Sequence, residues 1–182
     1  DPLTAADLVR LRDYTMKYNP PFYLACMMEY YCFIRPDELR YVRIGDISIK
    51  DQTVYVHPEF AKNRKGQVVA LNDNLLKIMI KQKVFDHPSN EFLFGHKLVP
   101  GPEKIYVNQF RIEWAKVRKA LGWPKSYQFY SLKDSGIRDL ANAEGIVVAR
   151  DQARHSDVSV TNKYLKNSNV AHEETKHFKG EL

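Results

Sequence analysis

Apolar positions recur along most of this chain at helical spacing and, in one short stretch, in runs typical of strands. Thr4, with Asp7 three residues on, marks a helix start with an acid in its first turn. Leu8, Leu11 and Tyr14 carry that helix onward. Pro20-Pro21 opens a second helix, since proline is tolerated at the first helical position. Its continuation over 22–33 is apolar nearly all round, which predicts a central core helix. Pro36 restarts helix over 37–42. The pattern then changes: Val54-Tyr55-Val56 and Val68-Val69-Ala70 are β-prone runs flanking the polar, basic stretch 60–66, a strand–loop–strand pattern. Helix returns over 74–83. Phe110, Trp114, Val117 and Leu121 form one apolar stripe, with Arg111, Lys116, Arg118 and Lys119 elsewhere on the same surface. Shorter helices are predicted over 132–143, 147–153 and 158–165, with 87–100 as the longest loop. The fold class is α+β, mainly helical, with one small sheet.

A length of 182 residues suits a single domain with a substantial core. The formal charge of +6 points to a polyanionic partner held through phosphate contacts and counterion release. Cys26 and Cys32 lie in the apolar helix at a spacing that turns them to different faces. They read as small buried thiols, not as a disulfide or metal pair. No run approaches the ~18 apolar residues of a membrane span, and no signal peptide opens the chain, so the expected setting is cytoplasmic. The start at Asp1-Pro2-Leu3 reads as a cut domain boundary, leaving room for an upstream domain.

The chemistry-bearing residues fall in four clusters. His155 precedes Tyr164 by nine residues across a Ser/Thr-rich spacer. Arg35-Pro36-Asp37-Glu38-Leu39 has an arginine followed three residues later by an acid, with Gly45-Asp46-Ile47 as a turn behind it. Lys62 sits in the basic loop Ala61-Lys62-Asn63-Arg64-Lys65-Gly66 between the two β-prone runs. Tyr130-Ser131-Leu132-Lys133-Asp134-Ser135 stands 22 residues before His155, counted from Lys133. Taken in chain order, from Arg35 to Tyr164, the clusters resemble the tyrosine recombinase (phage integrase) family. Three positions depart from the family pattern. The third cluster usually reads His-x-x-Arg-His-Thr, so Tyr130 replaces a histidine and Lys133 the second arginine. The residue before the late histidine is commonly glycine, and here it is Arg154.

The resemblance implies the catalytic-domain fold of that family over 1–182, with a small antiparallel sheet carrying the lysine hairpin and a polar C-terminal tail over 166–182. It implies site-specific DNA strand transfer through a 3′-phosphotyrosine at Tyr164, needing neither metal, ATP nor any other cofactor. Tyr164 would be the nucleophile, storing the bond energy for rejoining. Arg35, Lys133 and His155 would donate to the non-bridging phosphate oxygens, where charge builds up in the transition state. Lys62 would give its proton to the leaving 5′ oxygen, which an ammonium does more readily than a guanidinium. Tyr130 keeps one phenolic donor, and Glu38 is a support residue. Lysine is a point charge where arginine is a two-pronged fork, so three outcomes stay open at Lys133. It suffices, a nearby arginine such as Arg154 or Arg138 compensates, or the protein is a catalytically weakened DNA-binding relative. The implied partners are double-stranded DNA and further copies of the chain, monomeric alone and tetrameric on DNA, with no membrane. A metal-dependent nuclease is the competing class. Asp37, Glu38 and Asp46 lack a later acidic run to complete its metal-holding triad.

Overall fold

The apolar run after Pro20 forms helix α2 (Pro20–Cys32), around which the rest of the fold is arranged in a computed structural model that describes residues 1–57, 66–163, 165 and 173–180. Before it comes α1 (Ala5–Tyr18), whose first turn is capped by the Thr4 hydroxyl accepting from the Asp7 N–H at 3.1 Å. Phe22, Leu24, Met28 and Cys32 of α2 are fully or almost fully buried, as is Cys26, and both cysteines are free thiols. Each fully buried large apolar side chain contributes about 1.5–3 kcal/mol, so α2 is the helix the core can least spare.

Helix α3 (Pro36–Leu39) is shorter than the predicted 37–42. The chain leaves it so that Val42 can pair with a distant segment. The Val42 carbonyl accepts from the Leu93 N–H at 2.8 Å and the Ile44 N–H donates to Glu91 at 2.9 Å. Those bonds, with the Arg43–Phe92 and Phe92–Gly101 bridges, pin the predicted long loop into the structure. Strands β1 (Ile47–Ser48), β2 (Thr53–Val56) and β3 (Gln67–Ala70) form an antiparallel sheet in that order, of which only β2 and β3 were predicted. The register places Ile47, Val54 and Val69 in one buried row, while Tyr55 and Val68 pair on the exposed face. His57, at the end of β2, is held by Asp46, with Nε2 and Oδ1 2.7 Å apart. Lys62 lies outside the described residues.

Helix α4 (Asp73–Lys81) ends two residues before the expected 83, where Lys83 adopts a left-handed φ of 58°. Helix α5 (Gln109–Leu121) buries Phe110, Trp114 and Val117 of the predicted stripe, while Leu121 at its end is half-buried. Trp114 Nε1 donates to the Tyr127 carbonyl at 2.9 Å, fixing the approach to α6 (Ser131–Glu144). Helices α7 (Ile146–Ala153), α8 (Val158–Asn162) and α9 (Glu173–Lys176) complete the order. α8 stops short of the predicted 165 among the described residues. A second small cluster, Phe33, Ile137, Ala141, Ala149 and Ala153, binds α6 and α7 to the end of α2. Among the described residues no helix is long and apolar enough to cross a membrane.

Candidate active site

The site begins at the break between α2 and α3. Phe33 ends α2 with a left-handed φ of 57°, buried against the second cluster, and the chain turns out. Arg35 is then extended (φ −64°, ψ 147°), as a residue preceding proline prefers, and serves as the N-cap of α3. This lifts its guanidinium to the surface while Ile34 and Leu39 on either side stay in the core. Arg35 Nε lies 3.9 Å from the Glu38 carboxylate, one turn along.

Glu38 is buried, and its main partner comes from the far end of the chain. Arg154 Nη1 donates to Glu38 Oε2 at 2.6 Å and Nη2 to Oε1 at 3.1 Å, a two-pronged pair with both side chains almost wholly out of solvent. Arg154 closes α7 with φ 59°, a conformation that glycine adopts without strain. The departure from glycine noted in the sequence thus accepts backbone strain and gains an internal clasp between the Arg35 and His155 segments.

His155 follows directly. Its Nδ1 is 2.9 Å from the buried Thr161 hydroxyl of α8, a hydrogen bond that orients the ring; when the hydroxyl is the donor, the ring proton sits on Nε2. The Asp157 carboxylate caps α8 by accepting from the Ser159 N–H at 2.6 Å, which sets Thr161 in place. Burial, and then the positive charges of Lys133, Arg35 and Arg154, hold the His155 imidazole below its ordinary pKa of 6.5. The Glu38–Arg154 pair joins the first and fourth sequence clusters here, and Lys133 of the third acts on the same ring.

Lys133 enters from the first turn of α6. It is 2% exposed, and its ammonium lies 5.2 Å from the centroid of the Tyr130 ring. Tyr130 is the N-cap residue of α6 and is 38% exposed. The turn before it is tied by Gln128, whose N–H donates to Ser131 Oγ at 2.9 Å and whose carbonyl accepts from the Ser131 N–H at 2.9 Å. Arg35, Asn108, Arg111, Gln128 and Tyr130 line an open cleft of about 660 Å³. Arg138, by contrast, is turned to the N-terminal segment, donating to the Leu3 carbonyl at 2.9 Å and to Asp139 at 2.8 Å. Tyr164 lies outside the described residues.

Sequence reasoning missed the cleft residues Arg111 and Gln128 and the pairing of Glu38 with Arg154. It also missed Glu29, a fully buried carboxylate behind Lys133. Its one legible signal was being the single charged residue in an otherwise apolar helix.

The lowered His155 pKa has a measurable consequence. The unfolded chain binds more protons than the folded one below the ordinary value. His155 therefore contributes stability above about pH 6.5 that is lost as pH falls through its folded value. Urea midpoints of the native chain and His155→Gln should converge as pH is lowered through that window. A gap independent of pH would contradict the assignment.

The sequence model of the phage integrase family matches residues 2–170. A tyrosine recombinase of Pseudothermotoga lettingae is 27% identical over 167 residues, covering 91% of this chain and 56% of that protein. The chain thus spans little more than half the length of that curated relative. Among solved structures, XerA recombinase gives a TM-score of 0.76 at 17% identity, covering 93% of this chain and 61% of that one. The integrase of transposon Tn1549, in complex with a circular intermediate DNA, gives 0.77 at 14% identity, with 93% and 62% covered. Lambda integrase, solved as a tetramer bound to a Holliday junction, gives 0.70 at 15% identity, with 95% and 50% covered. At such identities the structural likeness speaks for the fold, a mainly helical α+β domain shared with recombinases and integrases. With its family's sequence model matched along nearly its whole length, the chain belongs to the phage integrase family.

Proposed function

We propose that this chain is the catalytic domain of a tyrosine site-specific recombinase, cleaving and rejoining double-stranded DNA through a 3′-phosphotyrosine at Tyr164. The observation that carries the reading is that Arg35 and Lys133, far apart in sequence, both act on His155, with Arg35 and Tyr130 lining an open cleft beside them. A scissile phosphate seated there meets a surface guanidinium from Arg35, an ammonium from Lys133 and an imidazole N–H from His155. These donors stabilise the charge that gathers on the non-bridging oxygens as the phosphate is attacked. The Glu38–Arg154 clasp holds Arg35 and His155 at a fixed separation before DNA arrives, so little reorganisation is needed at the moment of reaction.

In the remaining steps, Tyr164 Oη gives up its phenol proton to solvent and attacks the phosphorus, the bond to the 5′ oxygen breaks, and Lys62 supplies that oxygen's proton. Attack by a 5′ hydroxyl of the partner strand reverses the sequence and releases the tyrosine. Family membership supports this assignment, and the DNA-bound state of the Tn1549 and lambda integrases supports DNA as the substrate. Assembly as a tetramer on DNA, from monomers in solution, is part of the same reading.

The reading is tested by DNA binding and cleavage together. Affinity for a duplex should fall with salt at a log–log slope of about −0.9 per phosphate neutralised. Tyr164→Phe should keep that affinity and salt slope while forming no covalent adduct on a nicked suicide substrate. Adduct formation by Tyr164→Phe, or affinity indifferent to salt, would overturn it.

A further inference from the structure

Helix α2 carries one charged side chain, Glu29, in a position that suits an apolar residue. It is 0% exposed, and neither carboxylate oxygen has a hydrogen-bond partner among the described residues. An isolated buried carboxylate is costly, so its presence calls for a compensating charge. The first turn of α6 provides one. Gly136 lets α6 approach α2 so closely that a Cβ there would lie 1.8 Å from the Tyr30 carbonyl oxygen. Lys133 stands three residues earlier, on the same face of α6, and is as deeply buried as Glu29. Burial pushes the Glu29 carboxyl well above the ordinary carboxylate range. Lys133 is the counteracting cation, while Glu38 and Asp134 reinforce the effect of burial. On its other side Lys133 faces His155 and the Tyr130 ring, with Arg35 and Arg154 acting on the same histidine.

We infer that Glu29 is a positioning residue whose buried carboxylate holds the Lys133 ammonium at the floor of the candidate site. A lysine is a point charge on a flexible stem and lacks the rigid fork by which an arginine fixes itself. In a low-dielectric interior the carboxyl, once ionised, attracts such a charge beyond hydrogen-bonding range. Glu29 itself takes no hydrogen bond from the ammonium, so none of the lysine's donors is spent on it. The catalytic consequence rests on the recombinase reading above, and the pairing rests on the packing of α2 against α6.

The test is a double-mutant cycle of Glu29→Gln and Lys133→Ala, read in two ways. In single-turnover cleavage of a suicide substrate, Glu29→Gln should slow the reaction roughly tenfold at unchanged DNA affinity. It should have no further effect once Lys133 is alanine, whereas a merely structural glutamate would act alike in both backgrounds. Equal losses in the two backgrounds would overturn the inference. The second reading is urea unfolding at mildly alkaline pH, which does not depend on activity. Lys133→Ala alone leaves Glu29 uncompensated and should lower the midpoint steeply, and adding Glu29→Gln should restore most of the loss. If the native chain forms no adduct, the recombinase reading fails and the unfolding cycle decides the pairing by itself. Additive midpoints in that cycle would overturn it.

Discussion

Replacing Lys133 by alanine is expected to cut single-turnover cleavage by roughly 10²–10³, the loss typical of one transition-state donor. The expectation follows from where the ammonium sits. It is out of solvent, beneath the Tyr130 ring, and close enough to influence both Glu29 and His155. A lysine so buried adds little to the general attraction for DNA, so affinity should change far less than rate. Lys133→Arg should retain cleavage, because the guanidinium keeps the charge and offers a second prong. The opposing idea gives the work to another arginine. Both candidates are already engaged, Arg154 with Glu38 and Arg138 with the Leu3 carbonyl and Asp139. A cleavage rate unchanged in Lys133→Ala, with a severe loss in Arg138→Ala, would assign the role to Arg138 instead.

The second large effect is on stability. Arg154→Ala removes both hydrogen bonds from a carboxylate that has almost no access to water. Breaking one side of a buried pair costs about 3–5 kcal/mol, because the charge left behind is uncompensated. Arg35 offers only partial relief, lying 3.9 Å away on a side chain that is 38% exposed. In a chain of this size the melting midpoint should fall by roughly 10 °C. Arg154→Gly should lose less than Arg154→Ala, since glycine is unstrained at φ 59° and alanine is not. Adding Glu38→Gln to Arg154→Ala should recover part of the loss by removing the stranded charge. Equal midpoints for the glycine and alanine variants would show that the strain at Arg154 is negligible. A melting midpoint unaffected by Arg154→Ala would deny the clasp.

Much of the fold was legible because long helices carry their own pattern. The stripe of Phe110, Trp114 and Val117 and the apolar run of α2 both became core as expected. Element ends were less legible, and for a physical reason. Helix α3 stops at Leu39 because Val42 and Ile44 find partners near residue 92, a pairing with no local signal. In the site, Arg35 and His155 stood out by the spacing of their motifs. What could not be read was which faces meet. The burial of Lys133 depends on Gly136 bringing α6 onto α2, and the meaning of Arg154 depends on its left-handed backbone and on Glu38, 116 residues earlier. Glu29 is a single acid in an apolar helix, and only the packing of α6 on α2 brings a cation to bear on it.

The central claim is that Tyr164 becomes covalently joined to DNA. The most direct measurement traps the chain on a suicide substrate, digests the adduct with nuclease and protease, and locates the residual nucleotide by mass spectrometry. The account predicts a nucleotide on the peptide containing Tyr164, linked through a 3′ phosphate. A nucleotide on any other residue, or trapped cleavage with no protein-linked nucleotide at all, would contradict it.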